Sequence, residues 1–228
     1  MSSVVHEIRR YPVKSMAGES LPSVEVDARG LAADRWYAVV DGDGKLSSGK
    51  HSNRFRRRDA VFEFASRTTD DGVRVTGRGG EWRVGDTALD TALTEAMGDP
   101  VRVLAEAVTP HQDAGQVSLV GTASLDWCRE HLGVDADRRR IRPNLVVDTS
   151  EPFVEETWQG LLTVGAARLR AVEPIVRCRM VDIAQEGLPR EGRWLKALTD
   201  TREMSLGIYL DVARPGVVTR GDEVHSGR

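Results

Sequence analysis

With 228 residues, 40% of them hydrophobic and 5% aromatic, the chain has the composition of an ordinary soluble protein, long enough for one large domain or two small ones. Its 32 basic and 35 acidic side chains leave a formal charge of −3, which gives no general argument for nucleic acid. No apolar run approaches the roughly 18 residues of a membrane span, and residues 1–7 lack the charged start and apolar middle of a signal peptide, so a cytoplasmic location is expected.

The chain opens on β signals. Residues 4–11 read as a mixed strand, 11–18 as a turn-rich connection, and 23–27 as a half-buried strand of alternating polar and apolar residues. Residues 35–41 form another strand that ends in Asp41-Gly42-Asp43-Gly44, a hairpin signature because glycine takes positive φ without steric cost. Stretches 62–67, 72–76 and 81–84 continue the pattern, so the first third is a small barrel or sandwich. Leu89, Leu93 and Met97 then recur at helical spacing with Gly98 as the C-terminal stop, and a soft domain boundary falls near residues 98–100.

Val101, Val103 and Leu104 mark a strand and residues 117–120 another. A second helix starts near Thr122 or Ser124, either of which could cap it, and places Leu125, Cys128 and Leu132 on one apolar face before Gly133. Cys128 is therefore expected to be packing. Residues 141–148 read as a strand with polar groups at its entrance, 161–172 as a hairpin broken at Gly165, 194–201 as a short helix, and 217–224 as a closing turn and strand. The class is α+β, β-rich, with a few short helices.

The second cysteine, Cys178, lies in residues 174–183 between Arg177 and Arg179, at the end of a strand-like run. Flanking positive charge should favour its thiolate, which is a nucleophile and a soft-metal ligand. A small core residue on a strand fits the same ten residues equally well. Two cysteines make neither a disulfide framework nor a zinc site.

Several separated segments carry a family resemblance. Tyr11-Pro12-Val13-Lys14-Ser15-Met16, Gly30-Leu31 and Asp34-Arg35 resemble the N-terminal β-barrel domain that accompanies MOSC domains. Arg142-Pro143-Asn144, Pro152-Phe153, Glu156-Thr157-Trp158, Arg177-Cys178 and Gly221-Asp222-Glu223-Val224 resemble the MOSC domain itself, the module of molybdenum cofactor sulfurases and mitochondrial amidoxime-reducing components. The resemblance implies a small N-terminal β-barrel or sandwich-like domain, residues 1–98, packed on a β-barrel MOSC domain, residues 99–228.

It also implies a site. Cys178 would bind molybdenum or carry a transferred sulfur; Lys14, Ser15 and Arg35 in the first domain, and Arg142 and Asn144 in the second, would hold the phosphate of the molybdenum cofactor, Mo-molybdopterin. Ser118, Thr122 and Ser124 would donate further hydrogen bonds, and Glu156 would stand near the metal. Pyridoxal phosphate binding is a further association of the family. The plain alternatives are solvated charges for Lys14 and Arg35, strand-entrance caps for Arg142 and Asn144 beside Pro143, and a surface acid next to Glu155 for Glu156.

The sequence also departs from the family's pattern. Ile175 stands where many members have a second cysteine, and Met180-Val181-Asp182-Ile183 replaces a Thr-rich segment. There is no cysteine set for an iron–sulfur cluster and no dinucleotide fingerprint, so a reductase would need an external electron donor of ferredoxin, flavoprotein or cytochrome type. The expected reaction is reduction of an N-hydroxylated or otherwise N-oxygenated small molecule, with its oxygen leaving as water. The alternatives are a sulfur carrier or cofactor-delivery protein with a persulfide on Cys178, and a cofactor-free binding module. The clusters Arg54-Phe55-Arg56-Arg57-Arg58 and Arg138-Arg139-Arg140 with Arg142 could form a nucleic-acid patch, but short arginine runs are usually solvated loop faces and an anionic cofactor or acidic electron-transfer partner would use them equally well, so nucleic acid is not expected.

Overall fold

The strand Ser3–Arg10 pairs antiparallel with Leu145–Asp148 on one side and, at its start, with Glu223–Ser226 on the other, so the first described residues form a stave between two later ones. In this computed structural model, which describes residues 3–226, the ring continues from Leu145–Asp148 through Val117–Gly121, Ser205–Arg214, Ala167–Val176 and Leu161–Val164 to Glu223–Ser226. Seven strands thus close a barrel. An odd-numbered ring cannot alternate direction throughout, and the one parallel pair is Val117–Gly121 with Leu145–Asp148. Parallel neighbours need a crossover, which the helix Thr122–Leu132 and the short helix Arg138–Ile141 supply.

Side chains alternate across the barrel wall. Val117, Leu119, Leu145 and Val147 join Val5, Ile8, Leu162, Leu169, Ile208 and Leu210 inside, where all are buried. Val120, Val146 and Leu206 point outward and are covered by Leu125 and Cys128 of Thr122–Leu132 and by Trp194 and Leu198 of the helix Trp194–Arg202. A separate core formed by Val13, Met16, Val39, Phe62, Phe64, Leu89 and Leu93 lies under two further sheets: Phe64–Thr69 with Gly72–Gly77 and Gly80–Arg83, and Val101–Ala105 with Tyr37–Asp41, Leu46–Ser48 and Phe55–Arg57. Ser23–Asp27, Gly30–Leu31 and Gly216–Thr219 make a last small sheet whose Val24, Val26, Leu31 and Val218 add to the barrel core. The molecule is a β-rich α+β protein with a closed barrel, additional sheets and few short helices.

Both expected glycine stops hold: Thr87–Met97 ends at Gly98 with φ 71° and Thr122–Leu132 at Gly133 with φ 62°. The start of the second helix is different, because Gly121 is the N-cap. Thr122 Oγ1 accepts from the Thr149 amide at 3.2 Å, and Ser124 Oγ donates to buried Glu155 at 2.7 Å, so both hydroxyls are committed to the 149–155 segment. Three strand limits also shift. Residues 59–63 form a 3-10 turn before Phe64–Thr69, the strand expected from residue 141 begins at Leu145 after Arg142 turns left-handed, and the strand Ala167–Val176 ends before Cys178, which leads into the 3-10 turn Arg179–Asp182. The ten-residue strand Ser205–Arg214 has no counterpart among the sequence-based expectations.

Among the described residues, no helix is long and apolar enough to cross a membrane.

Candidate functional site

A cavity of about 450 Å³ opens between the N-terminal sheets and the barrel wall, within the size range of small-molecule sites. Lys14, Ser15, Arg35, Lys50, Arg54 and Phe55 line it from the first half of the chain; Ser118, Arg142, Asn144, Cys178 and Tyr209 line it from the second, and residues 113–115 form part of its wall. Seven of the residues expected from sequence are therefore brought together: Lys14, Ser15, Arg35, Ser118, Arg142, Asn144 and Cys178.

Three arginines surround the buried ring of Tyr11, with guanidinium carbons 4.3 Å (Arg142), 4.8 Å (Arg35) and 5.7 Å (Arg9) from its centroid. Arg35 pairs with fully buried Asp34, whose Oδ1 also accepts from the Tyr11 amide at 2.8 Å. Its guanidinium reaches the Arg142 carbonyl at 3.3 Å and Asn144 Oδ1 at 3.4 Å. Asn144 Oδ1 accepts in turn from the Ser118 amide at 3.1 Å and hydroxyl at 3.0 Å, locking the strand entrance into one polar unit. Arg142 Nη2 donates to the Met16 carbonyl at 2.6 Å, while Nη1 is buried without a hydrogen-bond partner among the described residues. Burial pushes Arg142 down to about 10, since a desolvated charge without a counter-ion is unfavourable. Backbone geometry marks the same place, because Ser15 (φ 69°), Arg35 (φ 51°) and Arg142 (φ 54°) are all left-handed non-glycine residues.

A second group of cations surrounds Phe55. Lys50, Arg54 and Lys14 lie 4.5, 4.6 and 5.1 Å from its ring centroid. The Asp113 carboxylate faces them, its Oδ1 2.9 Å from Lys50 Nζ and 3.3 Å from Lys14 Nζ. Lys14 is pushed down to about 8, first by burial, with Asp113 opposing that and the cations Arg35, Lys50 and Arg54 adding to it. Asp113 is held far below the usual carboxylate range by Lys14 and Lys50, against the opposing effect of its burial.

Cys178 is partly exposed and shares this cavity. Its neighbours differ in role. Arg177 donates to the carbonyls of Leu206 and Ile141, each at 2.8 Å, tying the segment to the barrel. Arg179 turns to Asp59, which it grips through two hydrogen bonds of 2.9 and 3.0 Å. Ile175, in place of a second thiol, also lines the cavity and is 3% exposed.

Three expected site residues are placed elsewhere. Thr122 and Ser124 serve the 149–155 connection, and Glu156 accepts from Arg202 Nη2 at 2.5 Å and from the Gly207 amide at 3.0 Å, outside the cavity wall. Glu155 is the fully buried acid of the pair. Cys128 packs under the barrel as expected, with burial pushing its thiol up to about 12. The basic clusters do not form continuous patches: Arg54, Arg140 and Arg142 face the cavity, Arg58 pairs with Asp41 and Asp99, Arg138 with Glu7, and Arg139 with Asp137. Lys50, Asp113 and Tyr209 carry no local signal in the sequence. They join the site only because distant loops and strands converge.

Residues 107–225 match the family model for the MOSC domain, and residues 2–135 match that for the MOSC N-terminal beta barrel domain. Among curated proteins, a molybdenum cofactor sulfurase from Danio rerio is 32% identical over 88% of this chain and 31% of its own length. The chain therefore spans less than a third of that relative. Mitochondrial amidoxime reducing component 2 from Bos taurus is 23% identical over 97% of this chain and 82% of its own. Among solved structures, the YUAD protein from Bacillus subtilis superposes with a TM-score of 0.56 at 16% identity, covering 100% of this chain and 98% of that one, a likeness of fold.

Proposed function

Because the chain belongs to the MOSC domain family, we propose that its cavity binds the molybdenum cofactor and that the protein reduces N-hydroxylated or N-oxygenated small molecules with electrons from an external donor. The observation that carries this reading is the meeting, in one cavity, of a partly exposed thiol at Cys178 with buried cations, one of which, Arg142, has a guanidinium nitrogen without a hydrogen-bond partner among the described residues. That donor set fits the group. A phosphate needs charge and directional donors, which guanidinium and ammonium groups supply, and a thiolate suits a soft metal.

Lys14, Ser15, Arg35, Arg142 and Asn144, with Ser118 supporting Asn144, would hold the pterin and its phosphate, and Cys178 would ligate the metal. The cofactor, when bound, supplies the two-electron chemistry of N–O reduction. The chain's own residues orient it. The Tyr11 ring spaces Arg35 and Arg142, Asp34 fixes Arg35, and the Asn144–Ser118 pair keeps the strand entrance from shifting. Glu156, held by Arg202 and Gly207, has no role at this cavity in its present position.

The test is molybdenum and pterin content of protein from a host that makes the cofactor, wild type beside Cys178→Ala, followed by reduction of an amidoxime with an artificial electron donor. Stoichiometric metal, its loss in the variant, and turnover by the wild type alone are expected. A wild type without metal or pterin, with the mass of one extra sulfur on Cys178, would replace this reading with the sulfur carrier.

A further inference from the structure

Lys14 presents a problem that the cavity solves in an unusual way. Its side chain is only 5% exposed, and an ammonium so placed needs an anion. Among the described residues, the acid that Lys14 and Lys50 both contact is Asp113. Arg35 is already matched by Asp34, and Arg54 is engaged with the Gln112 carbonyl.

The way Asp113 is attached matters. It lies on the connection between Val101–Ala105 and Val117–Gly121, yet its neighbours fix the path of that connection. The Gln112 side chain donates to the Arg29 carbonyl at 2.8 Å and the Gln116 side chain to the Ala28 carbonyl at 2.9 Å. The Glu106 carboxylate accepts from the His111 amide at 2.5 Å and is gripped by Arg29. Gly115 packs so closely on Tyr209 that a Cβ there would stand 2.6 Å from Tyr209 Cβ. The Asp113 side chain, 34% exposed, touches Lys14 and Lys50 through Oδ1 alone. It can leave them by side-chain rotation without undoing the loop.

We propose that the Asp113 carboxylate is a displaceable internal anion: it holds, in the ligand-free protein, the place that a phosphate oxygen of the ligand takes on Lys14 and Lys50. Loading then exchanges one anion for another, and the buried ammonium is never left uncompensated. Asp113 sets the selectivity of the subsite, since only a ligand group with more negative charge than a carboxylate displaces it. The inference rests on the reading of the cavity as a phosphate-binding site. It goes further in naming a residue of this chain that opposes binding.

The experiment is calorimetric titration of inorganic phosphate into the full-length chain, made in a host without the pterin pathway, for wild type, Asp113→Asn and Lys50→Gln. It is run at low salt and about pH 7, where the Lys14 ammonium, pushed down to about 8, is still mostly protonated and a large share of the phosphate carries its second negative charge. Asp113→Asn keeps the shape and removes the competing charge, so phosphate should bind roughly tenfold tighter, with the gain shrinking as salt rises. Lys50→Gln should bind more weakly than wild type. Equal or weaker binding by Asp113→Asn, or no binding by any of the three, overturns the proposal. Tighter phosphate binding by Asp113→Asn, with no molybdenum acquired by wild type made in a host that supplies the cofactor, would leave this inference standing and remove the cofactor reading; metal loading in that host with phosphate affinity indifferent to Asp113 would do the reverse.

Discussion

Ser15, Arg35 and Arg142 hold backbone conformations that side chains disfavour, and all three line one cavity. Such strain persists only where surroundings over-determine it; here Arg35 is fixed by its amide donating to the Tyr11 carbonyl at 2.8 Å and by Asp34. Lys14 stores a different cost. Its ammonium titrates near 8 in the folded protein against 10.5 as the ordinary value, so between those values the unfolded chain binds more protons and stability rises with pH. The full difference corresponds to about 3 kcal/mol. Unfolding by urea across this range should show wild-type stability climbing relative to Lys14→Met, whose curve lacks this contribution. Parallel curves would mean that the ammonium is not desolvated as its burial implies.

Elements meet at close quarters where glycine permits it. At Gly121, which opens the crossover helix, an added Cβ would lie 2.6 Å from Thr149 Oγ1 and 2.8 Å from Glu155 Oε2, against a buried carboxylate that cannot move freely. At Gly133, which closes that helix, nothing lies within 4 Å and only the left-handed φ of 62° is at stake. Gly121→Val should therefore cost about 3 kcal/mol and Gly133→Ala about 1 kcal/mol in chemical denaturation. Equal losses would refute the steric account of Gly121.

The helices Thr87–Met97 and Thr122–Leu132 were legible because spacing and glycine stops are local signals, as at Leu89, Leu93 and Gly98, whereas the four-residue helix Arg138–Ile141 was not. The strand Ser205–Arg214 carries a readable alternation at Leu206, Ile208, Leu210 and Val212, yet Gly207 breaks its β character. Lys14, Arg35, Arg142 and Cys178 were reachable through family resemblance. Lys50 and Asp113 were not, because their meaning is a contact between residues 63 positions apart. Glu156 sat in a matching segment, but the charge of Arg202, far along the chain, decides where its carboxylate goes.

At the scale of the molecule, the two halves share a stave. Ser3–Arg10 belongs in sequence to the first half, yet it closes the ring between Leu145–Asp148 and Glu223–Ser226. A fragment of residues 99–228 would expose both of those edges and the apolar interior behind Val5 and Ile8. Expressed alone it should be aggregated or lack dispersed amide resonances, and adding back a peptide of residues 1–22 should restore order. A well-folded fragment without the peptide would show that the ring tolerates a missing stave.

That closure also imposes a schedule. A ribosome extends a chain from its first residues onward, and the stave of residues 3–10 waits unpaired on its barrel side until residues 145–148 and then 223–226 have been made. The cavity wall is scattered from Lys14 to Tyr209 and cannot assemble before then. Any ligand the cavity takes must therefore arrive after residues 223–226 have been made, and until then the barrel-side edges of that strand stay open to wrong partners.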